Sequence, residues 1–482
     1  MSVRPRFRLL APAARERLLD AAFRTLDRVG VRVEGAAARA LLLAHGASAR
    51  EGRVRLFERL VREALATAPR RFALHDRDGA IAVRFGDGGT QYDPGSAAIH
   101  VLDRGSGRRR PATSADVVEL VRLVDTLPHY AAQATALVPC DVPEALADRW
   151  RLYLALRYGG KPVVTGTFRA DGFAPMHAML AAVRGGEAAL RERPLALFDC
   201  CPTSPLTWSE LTAQALTDAA RAGVPANLVA VPMTGATGPV TLEGALAQLA
   251  AENLAGVALH QLAAPGAPLV WGGAPSAFDM RQGTAAMGAI ESAMLNVANA
   301  EIGRSLGLPT HGYLALSDAK TPDYQAGWES GTGALLGALA GIDLVSGPGL
   351  LDLLLTLSLE KLLLDHDACG AALRLVRGIA AHDGDVVALI DELVAAGELL
   401  SHPHTRSHWR AELSLASPLV DRGSHGDWAA AGGKSAFERA RDEVDRRLAL
   451  PAAPLDAALA RELDAIVAAE AARLGVAALP RI

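Results

Sequence analysis

The sequence predicts an α/β protein, a (β/α)8 TIM-type barrel with an N-terminal α/β layer and a helical C-terminal extension. Two observations carry this reading. From about residue 130, short apolar runs alternate with longer helical patterns at a near-uniform spacing. Most of those runs end in Pro, Gly and small hydroxyl residues, as strand ends do when they deliver polar groups to one face of a barrel. Strands separated by helices pair in parallel through right-handed crossovers. An open doubly wound sheet would satisfy the same rule, but the even spacing favours closure.

Residues 1–125 read as the N-terminal layer. Leu18, Leu19, Ala22, Phe23, Leu26 and Val29 recur at helical spacing. Val31 to Val33 and Val54 to Leu56 alternate like short strands. The stretch 92–103 is strand or hairpin material, with Asp93-Pro94-Gly95 as its turn. The barrel is assigned to 126–400. Its expected strands are 131–138, 162–167, 195–200, 228–233, 269–272, 310–316 and 344–346, with helices at 144–157, around His177 to Val183, and at 207–222, 242–262, 284–306, 323–339 and 358–379. An eighth strand could come from the N-terminal layer or from the region near Ser401 to Trp409. In the helix expected at 284–306, Met287, Ile290, Met294 and Val297 form an apolar stripe that reads as packing on the sheet. Residues 401–482 form the helical extension.

The bulk properties narrow the function. The chain has 482 residues and a net charge of -4, far from the broad basic field that nucleic acid requires. Arg108-Arg109-Arg110-Pro111 reads as a solvated loop. Cys140, Cys200, Cys201 and Cys369 show no paired metal-ligand spacing, and a reducing cytoplasm fits them. Residues 1–10 carry no long apolar stretch of a secretory leader. The greasiest stretch, 349–364, is interrupted by Asp352, Glu360 and Lys361 and cannot span a bilayer.

The chemistry is expected at the strand ends. The apolar run His311 to Leu316 stops in Ser317-Asp318-Ala319-Lys320, then Pro322 opens a helix on which Gln325 and Glu329 lie one turn apart. Asp318 could be a catalytic or cation-binding carboxylate, or a helix cap. Glu329 could act with it, or serve as a structural partner for Lys320 or an arginine. Tyr313, Trp271 and Phe278 stand near strand ends in a chain with only 5% aromatics; they could stack on a cation or belong to the core. Thr234-Gly235-Ala236-Thr237-Gly238 could hold an anion on backbone N–H groups or be an ordinary barrel loop. Gly331, Gly333 and Gly337 lie inside a helical pattern, which excludes a dinucleotide fingerprint. His404 and His408 could ligate a metal if helical, but no third ligand is evident. Adjacent Cys200 and Cys201 point to opposite faces of a strand, so no protein-held metal is expected.

Taken together and in order, several motifs resemble the trimethylamine:corrinoid methyltransferase family. They are Val101-Leu102-Asp103, Arg109 to Thr113, Thr234 to Pro239, Gly272-Gly273, Leu316 to Lys320, Gln325-Ala326-Gly327-Trp328-Glu329, Val345 to Gly349, Ser358 to Lys361, His404-Thr405 and Leu419 to Arg422. The resemblance runs from about residue 90 to 440. It implies a barrel enzyme that demethylates an amine and passes the methyl group to Co(I) of a corrinoid (cobalamin) on a separate corrinoid protein. Founding members use pyrrolysine, whereas this sequence holds only standard residues. Members without pyrrolysine act on quaternary amines such as glycine betaine, whose nitrogen already carries the charge of a good leaving group. Some betaine-using relatives carry His where this chain has Ser346, which leaves the substrate open.

On this reading Asp318 and Glu329 are catalytic. Tyr313, Trp271, Phe278, Ser346 and Gln325 bind substrate, and Thr234, Gly235, Gly238, Gly272, Gly273 and Gly347 face the corrinoid. The expected partners are the corrinoid protein, a small quaternary amine and further copies of the chain, with no nucleic acid and no membrane. Two alternatives stay open: a barrel that binds a corrinoid protein or ligand without turnover, and methyl transfer directly to a folate.

Overall fold

Eight short parallel strands close a ring in the computed structural model, which describes residues 4–415 and 417–482. In chain order they are β1 (Gln91–Asp93), β2 (Gln133–Ala134), β3 (Val163–Thr165), β4 (Ala196–Cys200), β5 (Ala226–Ala230), β6 (Leu269–Gly273), β7 (His311–Tyr313) and β8 (Leu344–Ser346). Strands β2 to β6 form one continuous ladder, and β7, β8 and β1 form another. Single bridges join the two arcs: Trp271 with Thr310 between β6 and β7, and Tyr92 with Tyr130 between β1 and β2. The helices that follow the strands are α1 (Ser114–Asp125), α2 (Glu144–Tyr158), α3 (Phe173–Arg184), α4 (Glu210–Ala222), α5 (Leu242–Ala263), α6 (Ile290–Ser305), α7 (Tyr324–Ala340) and α8 (Leu359–Val376).

The open question of the eighth strand is answered by Gln91–Asp93, which pairs in register with Leu344–Ser346. The barrel therefore begins ahead of residue 126, inside the stretch that the sequence assigns to the N-terminal layer. Asp93 is the last residue of this strand and is fully buried, which the turn reading of Asp93-Pro94-Gly95 does not anticipate. Before it come helices Pro12–Arg28, Ala36–Ala44 and Glu58–Thr67, and the first and third pack on α5. Helix Ala436–Leu448 lies on α8 and α1, and helix Ala457–Arg473 on α2 and α3. No helix among the described residues is long and apolar enough to cross a membrane.

Two local expectations change. Residues 284–286 are not helical; they pair antiparallel with Ala277–Asp279 in a hairpin after β6. The stripe expected on α6 is split: Val297 is buried and Met287 packs against the core, as expected. Ile290 and Met294 are exposed, while Asn296, Asn299 and Gly303 are buried. The reason is the thin β6–β7 junction, which leaves strand groups without ladder partners. Asn296 Oδ1 accepts the Tyr313 N–H at 3.0 Å, and Asn299 Nδ2 donates to the Gly272 carbonyl at 3.0 Å. Buried backbone groups must be paired, so amides replace hydrocarbon on this helix face.

Candidate active site

The carboxyl ends of the strands surround a cavity of about 270 Å³, lined in part by Ser96, Thr135, Arg151, Phe168, Asp199 and Tyr313. Strand alternation puts these groups there. Asp199 on β4 and Asn227 on β5 are register partners, and Asn227 Nδ2 donates to Asp199 Oδ1 at 2.8 Å. Burial pushes the Asp199 carboxyl up to about 7, against the lowering effect of hydrogen bonds from Asn227 and Tyr313. Asp199 makes no ion pair with any described residue within 4.0 Å. The Tyr313 hydroxyl is 3.0 Å from Ser96 Oγ, and burial raises its pKa well above the usual phenol range.

One layer deeper, Asp93, Ser346 and His311 form a buried chain across β1, β8 and β7. Ser346 Oγ donates to Asp93 Oδ1 at 2.6 Å and lies 2.8 Å from His311 Nε2. Burial holds the imidazole neutral, its pKa lowered to about 3, and drives the Asp93 carboxyl well above the carboxylate range. A neutral chain costs less to bury than two isolated charges would, although Asp93 Oδ2 and His311 Nδ1 have no hydrogen-bond partner among the described residues.

Arg151 reaches the same cavity from α2, beside the ends of β2 and β3. Its Nη1 donates to the Thr135 carbonyl at 2.7 Å, and its guanidinium lies 4.2 Å from the centre of the Phe168 ring. Above the cavity, the turn after β8 holds Asp352, Leu353 and Leu354 at φ of 54, 59 and 72°. Such consecutive left-handed residues are costly for L side chains, and Leu354 enters the cavity wall.

The residues singled out from sequence are distributed over several places. Tyr313 lines the cavity and Ser346 lies beneath it. Trp271 does not line it: its side chain turns outward, where Nε1 donates to Asn299 Oδ1 at 2.7 Å and it fills space that a side chain at Gly303 would need. Phe278 sits in the rim hairpin, its backbone N–H donating to Thr234 Oγ1 at 3.2 Å. Asp318, Glu329 and Gln325 form a cluster of their own at the head of α7, outside the cavity lining. Glu329 Oε2 accepts from Ser317 Oγ at 2.5 Å and from the Asp318 N–H at 2.8 Å, while Oε1 accepts from Gln325 Nε2 at 2.9 Å. Asp318 Oδ2 accepts the Gly288 N–H at 2.9 Å, tying the β7 loop to the β6 loop, and burial pushes this carboxyl up to about 6. This geometry makes the cluster a brace between rim loops, which the helix-cap alternative for Asp318 only partly anticipates: the cap itself is Asp323.

The glycines are explained by packing. A side chain at Gly272 would sit 2.2 Å from Asn227 Oδ1, one at Gly273 2.8 Å from Asn299 Nδ2, and one at Gly347 2.0 Å from the Leu314 carbonyl oxygen. These three belong to the barrel wall. Thr234 and Gly238 close a tight rim loop, and Gly235 abuts the Met280 methyl group. Helix Pro403–Glu412 does place His404 and His408 on one face, with ring centroids 4.5 Å apart. No group of three or more His, Cys, Asp or Glu side chains among the described residues is arranged to hold a metal ion.

Sequence reasoning passed over Asp93, Arg151, Asp199 and His311 as site residues. Asp199 had a readable signal, an acid at the end of an apolar strand. Arg151 had none, since an arginine in mid-helix reads as solvated.

A β/α barrel that gathers a carboxylate, a guanidinium and a phenol around one hollow at its strand ends is an enzyme frame for a small polar substrate. The chain belongs to the Trimethylamine methyltransferase (MTTB) family, whose profile matches residues 2–475, and it is an enzyme of methyltransferase type. It is 31% identical over 392 residues to the trimethylamine methyltransferase MttB of Desulfitobacterium hafniense (strain DSM 10664 / DCB-2), covering 81% of this chain and 79% of that one. The trimethylamine methyltransferase MttB of Methanosarcina barkeri is 31% identical over 457 residues, covering 91% and 90%. The glycine betaine methyltransferase of Desulfitobacterium hafniense (strain Y51) is 28% identical over 433 residues, covering 88% and 89%. The solved monomethylamine methyltransferase (MtmB) of Methanosarcina barkeri shares the fold, with a TM-score of 0.52 at 11% identity over 90% of this chain and 86% of that one.

Proposed function

We propose that this protein moves a methyl group from a betaine-like quaternary amine to Co(I) of a corrinoid carried by a partner protein. The observation that carries the reading is Asp199, a carboxylate lining the strand-end cavity with no cationic partner among the described residues. A methylated ammonium would supply that partner. A quaternary nitrogen departs as a neutral tertiary amine, so the protein need not donate a proton. Its work is to hold the cation and aim one N–CH₃ bond. Asp199 fixes the charge, and Tyr313, anchored at Ser96, fixes the orientation.

A corrinoid is a broad flat ring, and its carrier needs an apolar seat around the mouth. The loops at this end of the barrel supply one: Val240, Met280, Tyr324 and Trp328 are all exposed. The corrinoid, when docked, supplies the Co(I) nucleophile. The residues of this chain exclude water and hold the substrate, and the Asp318–Glu329 brace keeps two of those loops in place. Cytoplasmic placement belongs to the same proposal, because Co(I) persists only under reducing conditions.

The test is spectroscopic. A corrinoid protein in the Co(I) state, this protein and a panel of quaternary amines are expected to yield methyl-Co(III) with at least one betaine. Retention of the Co(I) spectrum with every amine in the panel would overturn the reading.

A further inference from the structure

The cavity wall holds a second charge that the amine reading does not use. Arg151 is 2% exposed, yet it makes no ion pair with any described residue within 4.0 Å. Asp148 adds negative charge nearby, but its oxygens are taken: Oδ1 by the Arg149 N–H and Nη1 at 2.8 and 2.9 Å, Oδ2 by the Phe168 N–H at 2.8 Å. Arg151 Nη1 is satisfied by the Thr135 carbonyl, whereas Nε is buried without a partner. Burying a guanidinium costs free energy unless an anion or full hydrogen bonding compensates. Phe168 covers only one face of the group and offers no acceptor in its plane.

Asp199 and Arg151 line the same hollow and do not neutralise each other. Such a pair of unpartnered opposite charges complements a zwitterion. We propose that Arg151 is a specificity-determining residue, its guanidinium taking the carboxylate of a substrate whose methylated ammonium sits at Asp199. The proposal rests on the betaine-like reading above and adds to it the residue that takes the substrate's acid group. Arginine suits this task because its planar fork meets a carboxylate in two hydrogen bonds.

Calorimetric binding of three probes to the full chain, with no corrinoid present, tests it: glycine betaine, its methyl ester and tetramethylammonium. The expected result is that the acid binds about tenfold to a hundredfold more tightly than the ester, the range of one charge-assisted contact. Arg151→Met is expected to bind acid and ester alike while keeping its affinity for tetramethylammonium. Arg151→Lys, which retains the charge without the fork, is expected to recover part of the preference. Equal binding of acid and ester by the unaltered protein overturns the role of Arg151 and leaves the amine reading standing. Failure of all three probes to bind overturns both. The unaltered-protein comparison stands even if Arg151→Met does not fold.

Discussion

Ser346 Oγ stands between two buried titratable side chains, 2.6 Å from Asp93 Oδ1 and 2.8 Å from His311 Nε2. Three strands of the barrel, β1, β8 and β7, are thereby tied at the floor of the cavity. Ser346→Ala removes the link and leaves both partners without it in a dry environment. The expected cost is about 1–3 kcal/mol, the penalty for stranding buried polar groups. Chemical denaturation should show it as a lower midpoint with an unchanged slope.

Asp199→Asn is expected to weaken tetramethylammonium binding about tenfold to a hundredfold, because it keeps the shape of the group and removes its charge. The same variant should unfold at a higher temperature at pH 8. Burial pushes the Asp199 carboxyl up to about 7 in the folded protein, from an ordinary carboxylate value of 3.8. Between those values the folded state binds more protons than the unfolded state, so stability falls as pH rises, and the loss is complete above 7. Asn carries no such titration. A pair of thermal melts at pH 5 and pH 8 checks the sign: the unaltered protein loses stability between them relative to the variant.

Binding of the cation should follow the same ionisation in the opposite direction. Below pH 7 the protonated Asp199 must lose its proton before it can pair with an ammonium. Tetramethylammonium affinity is therefore expected to fall as pH drops below 7, by about the same tenfold to a hundredfold in all as in Asp199→Asn, and to level off above 7. A flat profile from pH 5 to 9 would remove Asp199 from the cation site. Asp199→Asn serves as the control, since its profile should be flat already.

Asp318→Asn is expected to leave quaternary-ammonium affinity within about threefold, because asparagine can still accept the Gly288 N–H and Asp318 lies outside the cavity lining. Glu329→Ala removes the acceptor for Ser317, Asp318 and Gln325 together. Its expected signature is a lower thermal midpoint, by about 1–3 kcal/mol of stability, and faster proteolysis of the rim loops. A selective loss of ligand affinity in Asp318→Asn at an unchanged midpoint would return Asp318 to the substrate site.

Trp328→Ala is expected to raise the KM for the corrinoid protein several-fold while leaving amine binding and the thermal midpoint unchanged. Trp328 is 61% exposed at the head of α7, so its removal leaves no core cavity. An unchanged KM would place the partner on another face.

The alternation of apolar runs and helical patterns determined the barrel, because local periodicity is enough to separate strand from helix and short crossovers then leave few topologies. It also placed Tyr313 near a strand end, though the strand expected over 310–316 stops at Tyr313, and it picked out the polar cluster from Ser317 to Glu329. What the sequence could not decide was facing and closure. Trp271 and Gly272 are neighbours in one strand, and the pleat sends one to the helix layer and the other to the interior; closure fixes which. Residues 92–103 read as strand or hairpin material, but only pairing with β8 makes Gln91–Asp93 the eighth strand of the barrel. Arg151 and Asp199 are 48 positions apart on different elements, and only the closed barrel brings a mid-helix guanidinium and a strand-end carboxylate to the wall of one cavity.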